Sequence, residues 1–210
     1  MIEISKISFI LALEKRFKVS NLCSECKIYV EMSFFAGGQG TRLGVPYPKG
    51  MYKIGLPSGK TLYQIQVERV LRLQKLASSK SSSAEAPKIV MYVMTSEHTM
   101  GPTVDFFKQH DYFGMDPENI KFFEQRMIPC FQNDGKIILE TKSKVAHASD
   151  GNGGLYWALK NEGTLDDMVS RGIDYLHVYC VDNVLVKVAD PVFMGYCISK
   201  NAEAGNKVST

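Results

Sequence analysis

The chain has 210 residues, enough for one domain, or for one domain plus a fragment, with a sizeable hydrophobic core. Its composition, 45% hydrophobic and 22% charged, is ordinary for a soluble globular protein. A net charge of +3 is too weak to indicate a nucleic-acid-binding protein, so each cation has to be judged by its position.

The first 26 residues form an atypical N-terminal segment that resembles nothing in the rest of the chain. Its apolar run at 7–13 is too short to span a bilayer and has no small-residue cleavage site after it. Cys23 and Cys26 lack a second cysteine pair at zinc-finger spacing, and the five cysteines show no disulfide framework. We therefore predict a cytoplasmic (cytosolic) protein in a reducing compartment, with no membrane partner.

Residues 27–80 begin with a β-prone run, 27–35, that leads straight into a glycine-rich loop. The next predicted element is a helix over 61–77, whose apolar residues recur at steps of three and four. Arg69, Arg72 and Lys75 lie off this apolar stripe, which predicts a solvated face. The serine-rich stretch 78–87 is predicted to be a surface loop.

Strands and helices alternate in the remainder of the chain. The predicted elements are a strand at 88–95 buried on both faces, a helix with Pro102 at its first position, a strand at 120–125, a hairpin turn at Asp134-Gly135, a helix over 155–160, a helix from a Thr164 cap to Gly172, a strand at 173–183 and a helix capped by Asp190. The pattern predicts an α/β, Rossmann-like fold: a mostly parallel sheet with helices on both faces.

Four polar clusters follow predicted strands: the glycine loop, "FEQ" at 123–125, "SDGNGG" at 149–154 and "VDN" at 181–183. Ligands of parallel sheets bind beyond the carboxyl ends of the strands, so we expect these clusters to converge on one crevice. His177 and Cys180 are three apart on a strand and face opposite sides, which argues against a metal pair.

The stretch "FFAGGQGTRLGVPYPKGMY", residues 34–52, holds five glycines, two prolines, Arg42 and Lys49. Glycine loops let backbone N–H groups approach an anion closely, and the two cations suit an anionic ligand. From the residues alone, the alternative interpretation stays open: the stretch could be only a tight turn that carries two surface charges. The spacing fails the dinucleotide-binding fingerprint, and "GLPSGKT" at 55–61 is one residue short of a Walker A loop.

These motifs together carry a specific resemblance. "GGQGTRLG", "YPKGMY", "FEQ", "DGNGGLY" and "VYCVDN", in this order, resemble the eukaryotic UDP-N-acetylhexosamine (UDP-N-acetylglucosamine) pyrophosphorylase family. "TSEHTMGPT" and "FEQR" resemble its pyrophosphorylase-like branch. The likeness runs from about Phe34 to near Lys207.

The resemblance implies a uridylyltransferase that joins UTP to N-acetylglucosamine-1-phosphate or N-acetylgalactosamine-1-phosphate and releases pyrophosphate. It implies Mg²⁺ (or Mn²⁺) as cofactor and leaves a homo-oligomer open. The implied residues are Arg42 and Lys49 for catalysis; Ala36, Gly37, Gly38, Lys49, Gln125, Gly151 and Asp182 for UTP; Asn152 for the sugar; and Asp182 for the metal, with Asn183 assisting.

The chain departs from the family pattern at both ends. About thirty residues replace a long N-terminal region, and the chain stops at Thr210. The resemblance places further strands, a sugar-binding wall, another lysine and a C-terminal domain beyond that point. We therefore expect residues 27–210 to be the nucleotide-binding part of a truncated nucleotidyltransferase domain. A catalytically incomplete fragment that binds UTP, or pairs with a full-length copy, is the alternative.

Overall fold

A computed structural model describes residues 8–12, 30–35, 43–80 and 89–207, with the backbone alone for the first two stretches and Lys80. The strands are β1 (Ser8–Ala12), β2 (Val30–Phe35), β3 (Met91–Thr95), β4 (Ile120–Glu124), β5 (Met127–Pro129), β6 (Leu139–Thr141), β7 (Lys144–Val145), β8 (His147–Ser149), β9 (Tyr175–Tyr179) and β10 (Ala204–Lys207). The helices are α1 (Leu62–Lys80), α2 (Met100–Gln109), α3 (Gly154–Asn161), α4 (Thr164–Ser170) and α5 (Pro191–Ser199).

The main sheet has six strands in the order β10-β1-β9-β2-β3-β4. Its four strands from β9 to β4 are parallel, and β1 is antiparallel to both of its neighbours. The predicted α/β architecture with a mostly parallel sheet is therefore confirmed. Because the parallel strands share one direction, their carboxyl ends all meet at the same edge of the sheet.

Helices cover both faces of this sheet, as predicted. In β3, Met91 and Val93 belong to one hydrophobic cluster, while Tyr92 and Met94 belong to the other. This alternation follows from the two-residue period of a strand, and it explains why the whole of β3 is apolar and buried. Helices α1, α2 and α5 contribute to the first cluster, and α3 and α4 contribute to the second.

The N-terminal strand β1 is a difference from the sequence analysis, which found no tie between this segment and the rest. Its backbone pairs with β9, Phe9 opposite Val178, and with β10, Phe9 opposite Asn206. An apolar run of this length suits a strand inside a sheet, but which strands it joins depends on contacts far away in the chain. Strand β10 was not predicted either.

Three helices differ from the predictions at one of their ends. Helix α2 begins at Met100, so Pro102 lies third in the first turn, where its missing N–H costs no intrahelical bond. Helix α4 has Gly163 at its cap, with φ +68°, and Thr164 is its first helical residue. Helix α1 begins after Thr61, as predicted, but it extends to Lys80, into the predicted loop.

Residues 127–149 leave the main sheet as two small ladders. Strand β5 pairs with β8, and β6 pairs with β7, all antiparallel. The predicted turn is confirmed: Gly135 has φ +85°, and the Gln132 N–H donates to the Lys136 carbonyl at 2.7 Å. The excursion brings the chain back beside its starting point, because Met127 on β5 lies opposite Ser149 on β8.

Candidate active site

The first pair of predicted residues meets after β9. Lys49 opens a short 3-10 turn, Lys49–Met51, and Asp182 follows the last buried residues of the β9 segment. The Lys49 Nζ donates to Asp182 Oδ2 at 3.0 Å, although 133 residues separate the two in sequence. Their side chains are 21% and 35% exposed. A cation and a carboxylate therefore stand together at the expected edge of the sheet, open to a ligand.

The turn that carries Lys49 is held in place by the close packing of Gly50 against the Tyr63 ring. The Met51 and Tyr52 N–H groups donate to the carbonyls of Pro48 and Lys49. A Cβ at Gly50 would lie 2.1 Å from Cζ of the buried Tyr63 ring, so only glycine fits. Tyr63 is on α1, and burial raises the pKa of its phenol well above the usual range. Packing against α1 thus fixes the backbone position from which the Lys49 side chain extends.

Arg69 fixes the loop that follows Asp182. Its Nη2 donates to the Val184 carbonyl at 2.7 Å, and its Nη1 donates to the Val186 carbonyl at 3.2 Å. The predicted solvated face is correct for two of its three cations, Arg72 and Lys75, which are exposed. It is wrong for Arg69. No sequence signal separates these three, because the bonds of Arg69 go to main-chain atoms of a distant loop.

Cys180 lies just before the pair and is not a nucleophile at neutral pH. Burial, with a contribution from the negative charge of Asp182, raises the pKa of its thiol to about 11, and the charge of Lys49 opposes this. A protonated thiol is a poor nucleophile. The paired ammonium and carboxylate support the binding and neutralisation of charge.

Gln125 lies at the end of β4, on the far side of the parallel strands. Its N–H donates to the Thr95 carbonyl at 2.9 Å, which continues the pairing of β4 with β3. The residue is only 4% exposed, yet among the residues that the structure describes none forms a hydrogen bond with its side-chain amide. Such an amide retains a donor and an acceptor for a ligand.

Gly151 and Asn152 lie in the loop before α3. Gly151 has φ +75°, and a Cβ built there would meet no atom within 4 Å, so the space beside it is open. Asn152 is exposed, and its main-chain carbonyl accepts the Leu155 N–H at 3.3 Å, which starts α3. The neighbouring Asp150 N–H donates to the Arg126 carbonyl at 3.2 Å, so this loop is tied to the residue after Gln125.

The two groups of residues mark the two ends of an elongated site. Strands β9 and β4 are three positions apart in the sheet. At about 4.8 Å between neighbouring strands, their ends lie about 14 Å apart. The charged pair stands at the first end, and the amide with its open loop stands at the second. Strand β2, which runs into the glycine loop, ends between them.

Four predicted residues, Ala36, Gly37, Gly38 and Arg42, lie outside the described residues. Within the described ranges, no three histidine, cysteine, aspartate or glutamate side chains come together as a metal cluster. No helix in the same ranges is long and apolar enough to cross a membrane. The described cysteines Cys130, Cys180 and Cys197 are free.

The parallel sheet with helices on both faces places the chain among the α/β proteins, which bind ligands at the carboxyl edge of their strands. Comparison with known families makes the assignment specific. The family model described as UTP–glucose-1-phosphate uridylyltransferase matches residues 28–210. The chain belongs to this family.

Curated relatives and solved structures agree with this assignment. The chain is 59% identical over 179 residues to UDP-N-acetylhexosamine pyrophosphorylase-like protein 1 of Xenopus tropicalis, a match that covers 85% of this chain and 35% of that protein. It is 45% identical over 179 residues to the UDP-N-acetylglucosamine pyrophosphorylase of Saccharomyces cerevisiae, covering 85% of this chain and 36% of that protein. The chain thus spans about a third of the length of the relatives it matches.

The fold also agrees with a solved relative. The UDP-N-acetylglucosamine pyrophosphorylase of Trypanosoma brucei, solved with an inhibitor, superposes with a TM-score of 0.78 at 35% identity, covering 84% of this chain and 36% of that one.

Proposed function

We propose that this chain forms the nucleotide-binding part of a uridylyltransferase that transfers UMP from UTP to N-acetylglucosamine-1-phosphate or N-acetylgalactosamine-1-phosphate and releases pyrophosphate. The observation that carries the proposal is the separation of a charged end, Lys49 with Asp182, from an amide end, Gln125. A nucleoside triphosphate has the same polarity, with charged phosphates at one end and a base at the other. The names of the relatives support uridine as the nucleoside.

At the charged end, Lys49 would contact the phosphates and neutralise charge that develops on the leaving pyrophosphate. In-line phosphoryl chemistry depends mainly on positioning and charge neutralisation, so a fixed ammonium contributes directly. Its present partner is Asp182 at 3.0 Å, a bond that uses one of the three ammonium N–H donors and leaves two for phosphate oxygens. Arg42, from the loop after β2, is proposed to share this role.

Asp182 is the proposed ligand for Mg²⁺ or Mn²⁺. Its carboxylate supplies the hard oxygen that these ions prefer, and its side chain is partly exposed at the site. When bound, the ion would neutralise phosphate charge. Arg69 would hold the loop that carries the carboxylate.

At the other end, the Gln125 amide would donate to and accept from the uracil edge. Gly151 would let the base lie against the backbone, because no atom fills the space that a side chain there would take. Asn152 would hydrogen-bond the sugar, and the backbone of Ala36, Gly37 and Gly38 would contact the nucleotide between the two ends. A cytosolic location and a homo-oligomer remain predictions.

The test is pyrophosphate release by the purified chain from UTP, Mg²⁺ and N-acetylglucosamine-1-phosphate. Arg42→Ala serves as the inactive control, and Arg72→Ala, at an exposed cation of α1, serves as the matched control. We expect release that needs the sugar phosphate and is lost only in Arg42→Ala. UTP binding without any release would instead make this polypeptide a binding module and contradict the transfer step.

A further inference from the structure

Arg126 connects the end of β4 to the loop before α3 in three ways. Its main-chain carbonyl accepts the Asp150 N–H at 3.2 Å. Its Nε donates to Asp150 Oδ2 at 2.5 Å. Its guanidinium also lies over the ring of Trp157, 5.2 Å from the ring centre. One side chain therefore joins a strand end, a loop and the second turn of α3.

The Asp150 side chain is largely buried and packs closely on the start of α3. It is 16% exposed, and a Cβ at Gly154 would lie 2.8 Å from the Asp150 Cβ, which shows how closely the carboxylate stem packs on the start of α3. The guanidinium is more exposed, at 46%. The planar guanidinium can donate from Nε and stack on an aromatic ring at the same time, whereas a lysine ammonium has no planar group to stack.

The connection joins the immediate neighbours of the two residues proposed to contact uracil. Gln125 precedes Arg126, and Gly151 follows Asp150. These two residues come from different elements, so their spacing is set by whatever holds the elements together. A base read by an amide on one side and by a backbone on the other loses affinity when that spacing changes, because binding geometry is sensitive to shifts of about 1 Å.

We propose that Arg126 is a positioning residue for base selection, which acts through Asp150 and Trp157 to hold Gln125 and Gly151 at the spacing that uracil requires. This inference rests on the proposed function, because it needs a uridine nucleotide at this end of the site. The competing role is direct contact of the exposed guanidinium with phosphate. The positioning role predicts a change in base preference and requires Asp150. Direct phosphate contact predicts neither.

The experiment measures dissociation constants of UTP and CTP, each with Mg²⁺, by calorimetry. The variants are Arg126→Ala, Arg126→Lys, Asp150→Asn and the double variant Arg126→Ala/Asp150→Asn. Lys144→Ala is the matched control, because it removes an exposed cation of the same excursion, paired with Glu140 at 2.8 Å. Thermal melting of every variant shows whether the fold is kept.

For Arg126→Ala we expect UTP affinity to fall about tenfold, the equivalent of one hydrogen bond, with a smaller loss for CTP, so that the preference for UTP narrows. Asp150→Asn should lower the two affinities in the same way. The double variant should bind UTP no more weakly than either single variant, and Arg126→Lys should not restore the UTP affinity. Lys144→Ala should bind as the unchanged chain does.

Equal losses for UTP and CTP, or additive losses in the double variant, would overturn the inference in favour of direct phosphate contact. Unchanged UTP binding by a folded Arg126→Ala would overturn it as well, while leaving the proposed function intact. Absence of UTP binding by the unchanged chain would remove the proposed function and this inference with it.

Discussion

His177 should make the stability of the fold depend on pH as the pH falls from about 6.5 towards 4. The imidazole lies on β9 and is 1% exposed, and its Nδ1 accepts the Ala189 N–H at 3.1 Å. Burial lowers its pKa to about 4; the negative charge of Asp190 opposes this, and the positive charge of Lys207 adds to it. The ring is therefore neutral in the folded protein at pH 7, and its Nδ1 has to stay unprotonated to accept the hydrogen bond.

The sign of the effect follows from the unfolded chain, in which a histidine has a pKa of about 6.5. Below that pH the unfolded chain takes up a proton that the folded chain refuses, so the free energy of unfolding falls as pH falls. The loss ends near the folded pKa of about 4. The full difference corresponds to about 3 kcal/mol, of which about 1 kcal/mol is lost between pH 7 and pH 5.5.

Urea unfolding followed by circular dichroism at pH 7 and pH 5.5 measures this loss. In His177→Asn the amide oxygen can replace Nδ1 as acceptor without titrating, so we expect the pH dependence to shrink by about 1 kcal/mol. His147→Asn, at an exposed histidine, should keep the wild-type dependence. Equal pH dependence in the wild type and His177→Asn would refute the reasoning, because the buried ring would then not be the group that titrates.

Three further substitutions test the contacts around the site by urea unfolding. Gly50→Ala should lower the free energy of unfolding by about 3 kcal/mol, because its Cβ would overlap the buried ring of Tyr63. Arg69→Met should lower it by about 2 kcal/mol, because two main-chain carbonyls lose a charged donor. Asp190→Ala should lower it by about 1 kcal/mol, because the carboxylate caps α5 by accepting the Val192 N–H at 3.1 Å.

Matched substitutions separate these effects from general damage. Gly101→Ala adds a Cβ where no atom lies within 4 Å, so a loss as large as that of Gly50→Ala would contradict the packing argument. Arg72→Met removes an exposed cation from the same helix, and it should be nearly neutral. Asp190→Asn keeps an acceptor for the cap, so an equal loss there would point to the ion pair with Lys207, at 2.7 Å, instead of the cap.

Local patterns predicted much of this fold. The apolar stripe predicted α1, the fully apolar run predicted β3 between two layers, and Asp134-Gly135 predicted its turn. These features depend on neighbouring residues and on burial, both of which leave a trace in sequence. The position of β1 between β9 and β10 is not indicated by local sequence, because the partners of a strand are set by the whole sheet.

The site shows the same division. The polar clusters that follow predicted strands were expected to converge at one edge of the sheet, and Lys49 and Asp182 meet there. The supports of the site were not predicted, because Tyr63 acts by packing and Arg69 by binding main-chain carbonyls, so neither has a characteristic partner in sequence. Arg126 belongs to the motif "FEQR", but its link to Asp150 depends on the return of the chain through β5 and β8.

The most direct test of the account is Mg²⁺-dependent UTP binding by the purified chain, compared with Lys49→Ala, Gln125→Ala and Lys75→Ala. Lys49→Ala removes the cation at the charged end, Gln125→Ala removes the amide at the other, and Lys75 is an exposed control on α1. We predict that the unchanged chain and Lys75→Ala bind UTP and that each site variant binds at least about tenfold more weakly. UTP binding that survives both site substitutions would contradict a nucleotide site at this edge of the sheet.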